Sequence, residues 1–512
     1  ISSADLNALD LPQVIDYIGA YTESDDPFGK FSFGGLGMVF ASVVSENPVK
    51  YSSSGDLLLS KKIKPLYAYQ FLCGLKEALV KERCFDWEPV VDFCYKIITA
   101  DISNLVAPDG EREQDWHSVK RSMAHLFVEA LGKKQCEVPI EFREKVWGIV
   151  SHLVEDLEPT SEDEKRDGAA TLDPMTVAIN SVRGEAMHAV VNYGLWFARQ
   201  QSDEANKNGI GMPSEMQLVL EKHLDPQKDA SLAIRSVYGW RLPNLFYLNS
   251  EWVKKNLNVI FPPEDESQAL FMAALEGYIS NQVYGEIFPA LKKVYWHAIS
   301  LLGQNPDPTG YRAADIDERL PQHLMIVYIR EPKHDDLIEH FFANAPVKAR
   351  AQAINFIGRV LIREMQGYLD KEAVTARIAQ LWDSRISLCG DSDIEELQEF
   401  GWWFKQSPFA RKETLGRLNK TLEITSGMID VAYEIIEELQ DYATELPTET
   451  ITALDYIARA EREYHDVEYK KNEYKEVIRR VKATGNVDAV KKTNDLINFL
   501  GSKGFIEFRE LL

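Results

Sequence analysis

Apolar residues recur along this chain at steps of three and four positions, the spacing that places side chains on one face of an α-helix. The clearest run lies within 175–199, and its apolar positions are Ile179, Val182, Ala186, Val190, Tyr193 and Phe197. The same spacing returns at Ile354, Ile357, Leu361, Met365 and Tyr368, and again at Met428, Val431, Ile435, Leu439 and Tyr442. The pattern predicts an amphipathic helix in each of these three segments.

Capping residues indicate where helices begin. Asp173-Pro174 supplies an N-cap carboxylate followed by proline at the first helical position, where the missing N–H is not needed. Further helix starts are indicated at Asp225-Pro226, at Ser250, at Thr448, and by the capping box Ser161-x-x-Glu164. The best strand candidate is the apolar run 324–329, which is equally compatible with a buried helix. We therefore expect an all-α protein with little or no β structure.

The length of 512 residues is more than one hydrophobic core usually serves. Polar breaks near 101–114, 155–171, 201–214, 262–267 and 305–316 are short enough to be loops within a helical array. No fixed repeat period is visible. The expected architecture is an irregular α-solenoid of helical hairpins, TPR- or HEAT-like. Its expected parts are an N-terminal segment at 1–157, a central segment at 172–420, and C-terminal repeats with a cap at 421–512.

Composition excludes several classes of partner. The chain has 57 Lys and Arg against 80 Asp and Glu, a net charge of −23, and so lacks the basic surplus that binds nucleic acid. It has no apolar run long enough for a membrane span. Its five cysteines are odd in number and form no C-x-x-C pair, so we expect neither a disulfide framework nor a zinc site. These features favour a cytoplasmic protein. Because the chain begins at Ile1, we also expect it to be a fragment of a longer protein.

Two clusters invite a chemical interpretation. The glycines Gly29, Gly34, Gly35 and Gly37 do not have the spacing of a phosphate-binding loop, and close helix packing explains them better. The second cluster is densest in metal-ligand residue types, and its members are His334, Asp335, Asp336, Glu339 and His340. Asp336 and His340 are four residues apart and could share a metal, but a solvated helix N-terminus is the simpler interpretation. We predict no catalytic, cofactor-binding or metal site; the partner-binding residues stay unassigned.

Several motifs, taken in order along the chain, resemble one family. They include Asn180-Ser-Val-Arg-Gly184, Tyr193-Gly-Leu-Trp196, His323-Leu-Met325, Phe400-Gly-Trp-Trp403 and the closing Leu500-x-x-x-Gly504-Phe505-x-x-Phe508. With these motifs the sequence resembles the C-terminal helical-repeat sensor region of bacterial antiviral STAND NTPases and related large defence ATPases. We interpret Asn180, Arg183 and Gly184 as structural: the two polar side chains satisfy nearby carbonyls, and Gly184 permits close helix approach.

The resemblance implies a function in antiviral defence. A sensor of this kind would bind a phage protein, such as a terminase or portal protein, and signal to NTPase and effector regions absent from this chain. No Walker motif is present, so no ATPase residue is assigned, and we expect no enzymatic activity and no cofactor. Oligomerisation of the full-length protein is left open. The alternatives are a general α-helical scaffold without a foreign ligand and a hydrolase that uses carboxylates or a metal.

Overall fold

The fold is all-α, as predicted. The computed structural model describes residues 2–22, 32–61, 63–100, 115–162, 164, 173–201, 211–263, 267–304, 315–331, 333, 335–364, 370–460 and 464–512. None of these residues lies in a strand. The ambiguous run 324–329 lies inside a helix, Ile316–Arg330, and is buried there at most positions.

The helices group into two compact units, of which the first is built on Ile1–Asn281. Its helices are α1 (Ser3–Ala8), α2 (Leu11–Ala20), α3 (Phe33–Glu46), α4 (Pro48–Tyr51), α5 (Ser54–Ser60), α6 (Pro65–Val80), α7 (Trp87–Thr99), α8 (Trp116–Gly132), α9 (Arg143–Val154), α10 (Pro174–Ile179), α11 (Val182–Gln200), α12 (Ser214–Leu224), α13 (Leu232–Trp240), α14 (Leu242–Leu248), α15 (Ser250–Ile260) and α16 (Gln268–Ile279), with a 3-10 turn at Ile140–Phe142. Helix α6 packs on α3 and α8, and α11 packs on α8 and α9. This is the packing of stacked helical hairpins.

The second unit comprises Gln282–Asn305 and Asp315–Leu512. Its helices are α17 (Phe288–Ser300), α18 (Ile316–Arg330), α19 (Asp335–Asn344), α20 (Val347–Phe356), α21 (Ile362–Glu364), α22 (Lys371–Leu388), α23 (Ile394–Gln398), α24 (Gly401–Lys405), α25 (Arg411–Ile424), α26 (Ala432–Tyr442), α27 (Pro447–Ala460), α28 (His465–Tyr469), α29 (Lys471–Ala483) and α30 (Val487–Ser502). A π-helical segment, Ile357–Leu361, joins α20 to α21, and 3-10 turns lie at Asp391–Asp393 and Ile506–Leu511. Helix α25 packs on α27, α27 on α30, and α26 on α29, so this unit is also an irregular stack of hairpins.

Three local predictions were wrong in instructive ways. The run 175–199 is two helices, because the chain turns after Ile179 and Ser181 caps α11 by accepting from the Gly184 amide. Glu164 does not form the predicted capping box; its carboxylate instead accepts from the amides of Leu232 and Ala233 at the start of α13. Asp225-Pro226 begins no helix, since α13 starts only at Leu232. The last two errors came from assigning a capping side chain to the nearest helix in sequence, and the first from apolar spacing that continues across a turn.

Close backbone contact at glycine fixes the packing of α13 on α16. A Cβ on Gly239 would lie 1.8 Å from the Ala274 carbonyl oxygen, and one on Gly277 would lie 2.1 Å from the Ser236 carbonyl oxygen. Backbone atoms cannot swing aside as flexible side chains do, so neither position accepts a larger residue without moving a helix.

The expectation that the cysteines form no disulfide is corrected by one disulfide bond. Cys84, in the turn between α6 and α7, forms a disulfide with Cys136, which lies between α8 and the 3-10 turn. The Trp87 indole N–H donates to the Cys136 carbonyl oxygen at 3.0 Å and holds the same two loops together. Spacing could not reveal the pair, because the cysteines are 52 residues apart.

The predicted division into three segments, 1–157, 172–420 and 421–512, stays a prediction.

No helix within the described ranges combines the length and the apolar character that a membrane crossing requires.

We expect Gly239→Ala to lower the free energy of unfolding by about 1–3 kcal/mol or more, because the added methyl group overpacks the crossing. Gly416→Ala is the matched control: Gly416 lies within α25, nothing lies within 4 Å of its added Cβ, and the change should stabilise by up to about 1 kcal/mol. Urea denaturation followed by circular dichroism measures both. Equal effects of the two substitutions would contradict the packing argument.

We expect three titratable thiols, Cys73, Cys94 and Cys389, in the denatured protein without reductant, and five after reduction. Reduction should also destabilise the first unit by up to about 4 kcal/mol, because the unfolded chain regains the entropy of the open loop. Thiol titration and thermal melting with and without dithiothreitol measure these effects. Five thiols before reduction would show that the two cysteines are not paired.

Candidate functional site

A sharply turned loop, Thr425 to Val431, separates α25 from α26. Ser426, Gly427 and Val431 have positive φ angles of 53°, 87° and 53°. Valine is rarely found in this region because its branched side chain crowds the backbone, and such strain is concentrated at functional sites. At Gly427 only glycine fits, since an added Cβ would lie 2.1 Å from the Tyr456 carbonyl oxygen.

Backbone contacts anchor this 425–431 loop to α23 and α24. The Asp430 amide donates to the Gln398 carbonyl oxygen at 3.0 Å. The Asp430 carbonyl oxygen lies so close to α24 that a Cβ on Gly401 would be 2.0 Å from it. The Gly427 amide donates to the Leu422 carbonyl oxygen at 2.7 Å, which closes the end of α25. The loop is therefore held at both of its ends.

Two carboxyl groups meet at the anchored end of the loop. Asp430 lies close enough to Glu399 for its charge to affect the ionisation of Glu399, and Glu399 accepts from the Asn355 amide group at 2.7 Å. Burial raises the pKa of Glu399 to about 7; the Asn355 hydrogen bond opposes the shift, and the charge of Asp430 adds to it. Burial also raises the pKa of Asp430. Below neutral pH the Glu399 carboxyl group is therefore mainly protonated.

A groove of about 450 Å³ opens beside the loop. We call it the Met428 groove; it is lined by Gln398, Gly427, Met428, Ile429, Ala432, Ile457, Ala460 and Asp466. The lining is mostly apolar, and among its described residues Asp466 is the one that can ionise. The groove lies over the hydrophobic core that α25 to α30 share, so its walls are backed by packed side chains.

Exposed aromatic rings lie next to the groove. The side chains of Tyr433 and Tyr469 form an edge-to-face pair with ring centroids 6.3 Å apart. Tyr469 is 73% exposed and Met428 is 40% exposed. Large amphipathic side chains of this kind dominate the energetics of protein interfaces. The Met428 groove and the adjacent tyrosine pair have the size and character to bind a side chain of another protein.

The described members of the His334 to His340 cluster are engaged in other contacts. Asp335 pairs with Arg377 at 2.5 Å, and Asp336 pairs with Lys292 at 2.5 Å. The His340 ring lies over Trp296 with centroids 3.8 Å apart. His334 lies outside the described residues. Within the described ranges, no three His, Cys, Asp or Glu side chains are placed to hold a metal.

The roles predicted for Asn180, Arg183 and Gly184 are confirmed. The Asn180 amide group donates to the Thr176 carbonyl oxygen at 2.8 Å, and the buried Arg183 guanidinium donates to the Pro159 carbonyl oxygen at 2.6 Å. A Cβ on Gly184 would lie 2.2 Å from the Ala178 carbonyl oxygen. Arg183 also pairs with the buried Asp229 carboxylate, which neutralises its charge. These residues join α10, α11 and the turn before α13.

Three glycines of the 29–37 cluster lie in helix α3. Ser32 caps α3 by accepting from the Gly35 amide at 3.0 Å, and Gly34, Gly35 and Gly37 lie in the first turns of that helix. Gly29 lies outside the described residues. The described glycines thus start a helix, in agreement with the packing interpretation.

One buried acid–base pair went unnoticed in the sequence. Glu185 Oε1 lies 3.6 Å from His125 Nε2. Burial raises the pKa of Glu185 to about 7 and lowers the pKa of His125 to about 4. Between these values both groups are mainly uncharged, so the pair is not a stable ion pair. Its sequence signal is weak, because the two residues are 60 positions apart on α8 and α11.

The groove was also missed, because Met428 and Val431 fit the apolar spacing of the next helix. In the structure that helix begins only at Ala432, and both residues belong to the loop. The dipeptide Ser426-Gly427 was the available signal, since such pairs mark turns.

We expect Glu399→Gln to reduce the loss of stability on raising the pH from about 5 to about 8. The pKa of Glu399 is higher in the fold (about 7) than its ordinary value of 4.5, so its contribution is complete below pH 4.5 and is lost as the pH rises through about 7. Glutamine cannot ionise. Glu423→Gln, an exposed change on α25, should leave the pH profile of the melting temperature unaltered. Identical profiles for Glu399→Gln and the unmodified chain would refute this account.

No protein-family model matches the sequence, and no curated protein matches it significantly.

Proposed function

We propose that this chain is a protein-recognition module that binds a partner protein through the Met428 groove and its two tyrosines. The observation that carries the proposal is an exposed apolar groove whose wall is a strained, doubly anchored loop. A strained backbone conformation costs stability and persists only where its surroundings impose it. A binding function explains why Met428 is presented at the surface although the adjoining core could bury it.

The groove also has the anatomy of an interface centre. Its lining is mostly apolar, Tyr433 follows the lining residue Ala432 in the chain, and the charged side chains Glu437 and Lys470 on neighbouring helices pair with each other. Binding energy in such interfaces is concentrated in a few aromatic anchors surrounded by residues that exclude water. The anchored loop lowers the entropy lost on binding, because its backbone is already ordered.

The finer form of the proposal concerns the partner. We propose that the bound protein is a phage protein of the terminase or portal type, and that its binding is transmitted to NTPase and effector regions outside this chain. The support for this step is the sequence resemblance to the sensor regions of STAND NTPases. The stacked hairpins of each unit are compatible with it, because such stacks offer extended surfaces to large partners.

The test is capture of partners by the whole 512-residue chain from lysates of phage-infected and uninfected bacterial cells, read by quantitative mass spectrometry. We expect one phage protein to be enriched after infection, and its Kd to rise about thirtyfold for Tyr469→Ser, the loss typical of an aromatic anchor. Tyr247→Ser is the matched control, since Tyr247 is also a highly exposed tyrosine (67%) but lies on α14 in the first unit.

Two outcomes would contradict the proposal. Equal weakening by both tyrosine substitutions would show that the groove is not the binding surface. Self-association of the chain with no phage protein captured would favour a scaffold instead. Met428→Glu, compared with Leu388→Glu at another exposed apolar position, gives a second and independent measurement.

A further inference from the structure

A group of positively charged side chains gathers where α6, α8 and α11 of the first unit pack together. Lys76 belongs to α6, Arg121 belongs to α8, and Arg241 lies between α13 and α14. Their common neighbours are His125 on α8 and Glu185 on α11, whose side chains lie 3.6 Å apart. We call these five residues the Lys76 cluster.

Electrostatic effects show that the three cations surround the same two groups. Burial lowers the pKa of His125, and the charges of Lys76 and Arg121 lower it further. Burial raises the pKa of Glu185 to about 7, and the charges of Lys76 and Arg241 oppose that rise. The cluster is therefore a local excess of positive charge in a chain whose net charge is −23.

In the described part of the chain, these cations lack direct partners of opposite charge. Neither Lys76 nor Arg121 nor Arg241 forms an ion pair with a described carboxylate. Arg121 donates to the Asn180 carbonyl oxygen at 3.1 Å, and Arg241 Nε donates to His188 Nδ1 at 2.8 Å. Each guanidinium has several further N–H groups. The described nitrogens that are buried without a partner include none from the three cations, so their unengaged N–H groups reach solvent.

Hydrogen-bond donors also outnumber acceptors beneath this surface. Burial holds the pKa of His188 well below its ordinary value, so the imidazole is neutral. Its Nδ1 accepts from Arg241, and its proton therefore lies on Nε2. That nitrogen is buried and has no hydrogen-bond partner within the described residues. Because polar groups inside proteins are normally satisfied, the component that the cluster lacks is an acceptor, and the surrounding charge favours an anionic one.

We propose that the Lys76 cluster binds a phosphate group, either free inorganic phosphate or the phosphate of a small phosphomonoester. Lys76, Arg121 and Arg241 donate to its oxygens from three separate elements. A carboxylate has two oxygens, which one guanidinium can satisfy, whereas a tetrahedral dianion presents oxygens in several directions and carries more charge. This site lies in the first unit and is separate from the Met428 groove.

The Glu185 carboxyl group makes binding depend on pH. Its pKa of about 7 means that it is mainly neutral below neutral pH and mainly charged above it, where it repels an anion. The charged and titratable groups that act on it are Lys76 on α6, His125 on α8 and Arg241 before α14. His125 has a pKa of about 4 and stays neutral near pH 7. We therefore expect anion binding to weaken as the pH rises through about 7.

The test is an NMR titration of the whole chain labelled with ¹³C in the histidine rings, with the His125 signal assigned through His125→Gln. The probes are inorganic phosphate, glycerol 3-phosphate and acetate. We expect both phosphates to move the His125 signal with a Kd on the order of 1 mM, and acetate to bind at least about tenfold more weakly. Tighter binding of glycerol 3-phosphate would identify a phosphomonoester as the ligand, and tighter binding of inorganic phosphate would identify the free ion.

Lys76→Gln should weaken phosphate binding about tenfold, the loss expected for one charge-assisted hydrogen bond. Lys81→Gln is the matched control, because Lys81 follows the same helix but already pairs with Glu77 at 2.6 Å, and it should leave binding unchanged. Melting curves of both variants verify that the fold is retained.

Glu185→Gln should tighten the binding of sulfate at about pH 8 and change it little at about pH 6, because glutamine cannot acquire the charge that repels the anion. Sulfate is the probe in this comparison, since its own charge is constant over this range. A residue with a purely structural role would give no gain in affinity on substitution.

Equal binding of acetate and phosphate would overturn the phosphate assignment. Equal weakening by Lys76→Gln and Lys81→Gln would show a general attraction of anions and no site, and so would a His125 signal that no probe moves. Each of these results leaves the proposed recognition function untouched, because that function is tested at the Met428 groove with other variants.

Discussion

Close contact between backbones at glycine is the constraint on which the packing of both units depends. Gly184 against Ala178, Gly239 against Ala274 and Gly401 against Asp430 leave no space for a Cβ. Helices that meet backbone to backbone bury more apolar surface from their flanking residues than helices held apart by side chains. The irregular stacking follows, because such contacts occur where glycines fall and at no fixed period.

The same constraint creates the Met428 groove. Gly427 brings the 425–431 loop against Tyr456, and the Asp430 amide and carbonyl groups hold its other end. Because the loop is fixed at Gly427 and Asp430, the Met428 side chain stays at the surface and is not buried in the adjoining core. The contacts that stabilise the turn between α25 and α26 thus also keep the apolar and aromatic residues at the surface, where the proposed partner would bind.

The sequence predicted the fold class correctly, because helical periodicity is a local property repeated in many segments. It also predicted the structural roles of Arg183 and Gly184. It failed at Glu164, which caps α13 from 67 residues away, and at Cys84 and Cys136, which pair across 52 residues. It failed again at Met428 and Val431, where apolar spacing continued through a loop. In each failure the deciding contact was distant in sequence or depended on backbone geometry.

By itself, then, the sequence determined the helices, their apolar faces and the strong negative charge, since these follow from residue type and spacing. Only the tertiary structure decided which apolar residues remain exposed. Met428 and Leu439 have the same character in the sequence, yet Leu439 is buried in the core and Met428 lines the groove. The physical reason is the reversal at Gly427 and Val431, whose positive φ angles turn the chain before α26 begins. Whether a side chain is buried depends on the path of its backbone. In the 425–431 loop, that path is set by contacts with α23, α24 and α27.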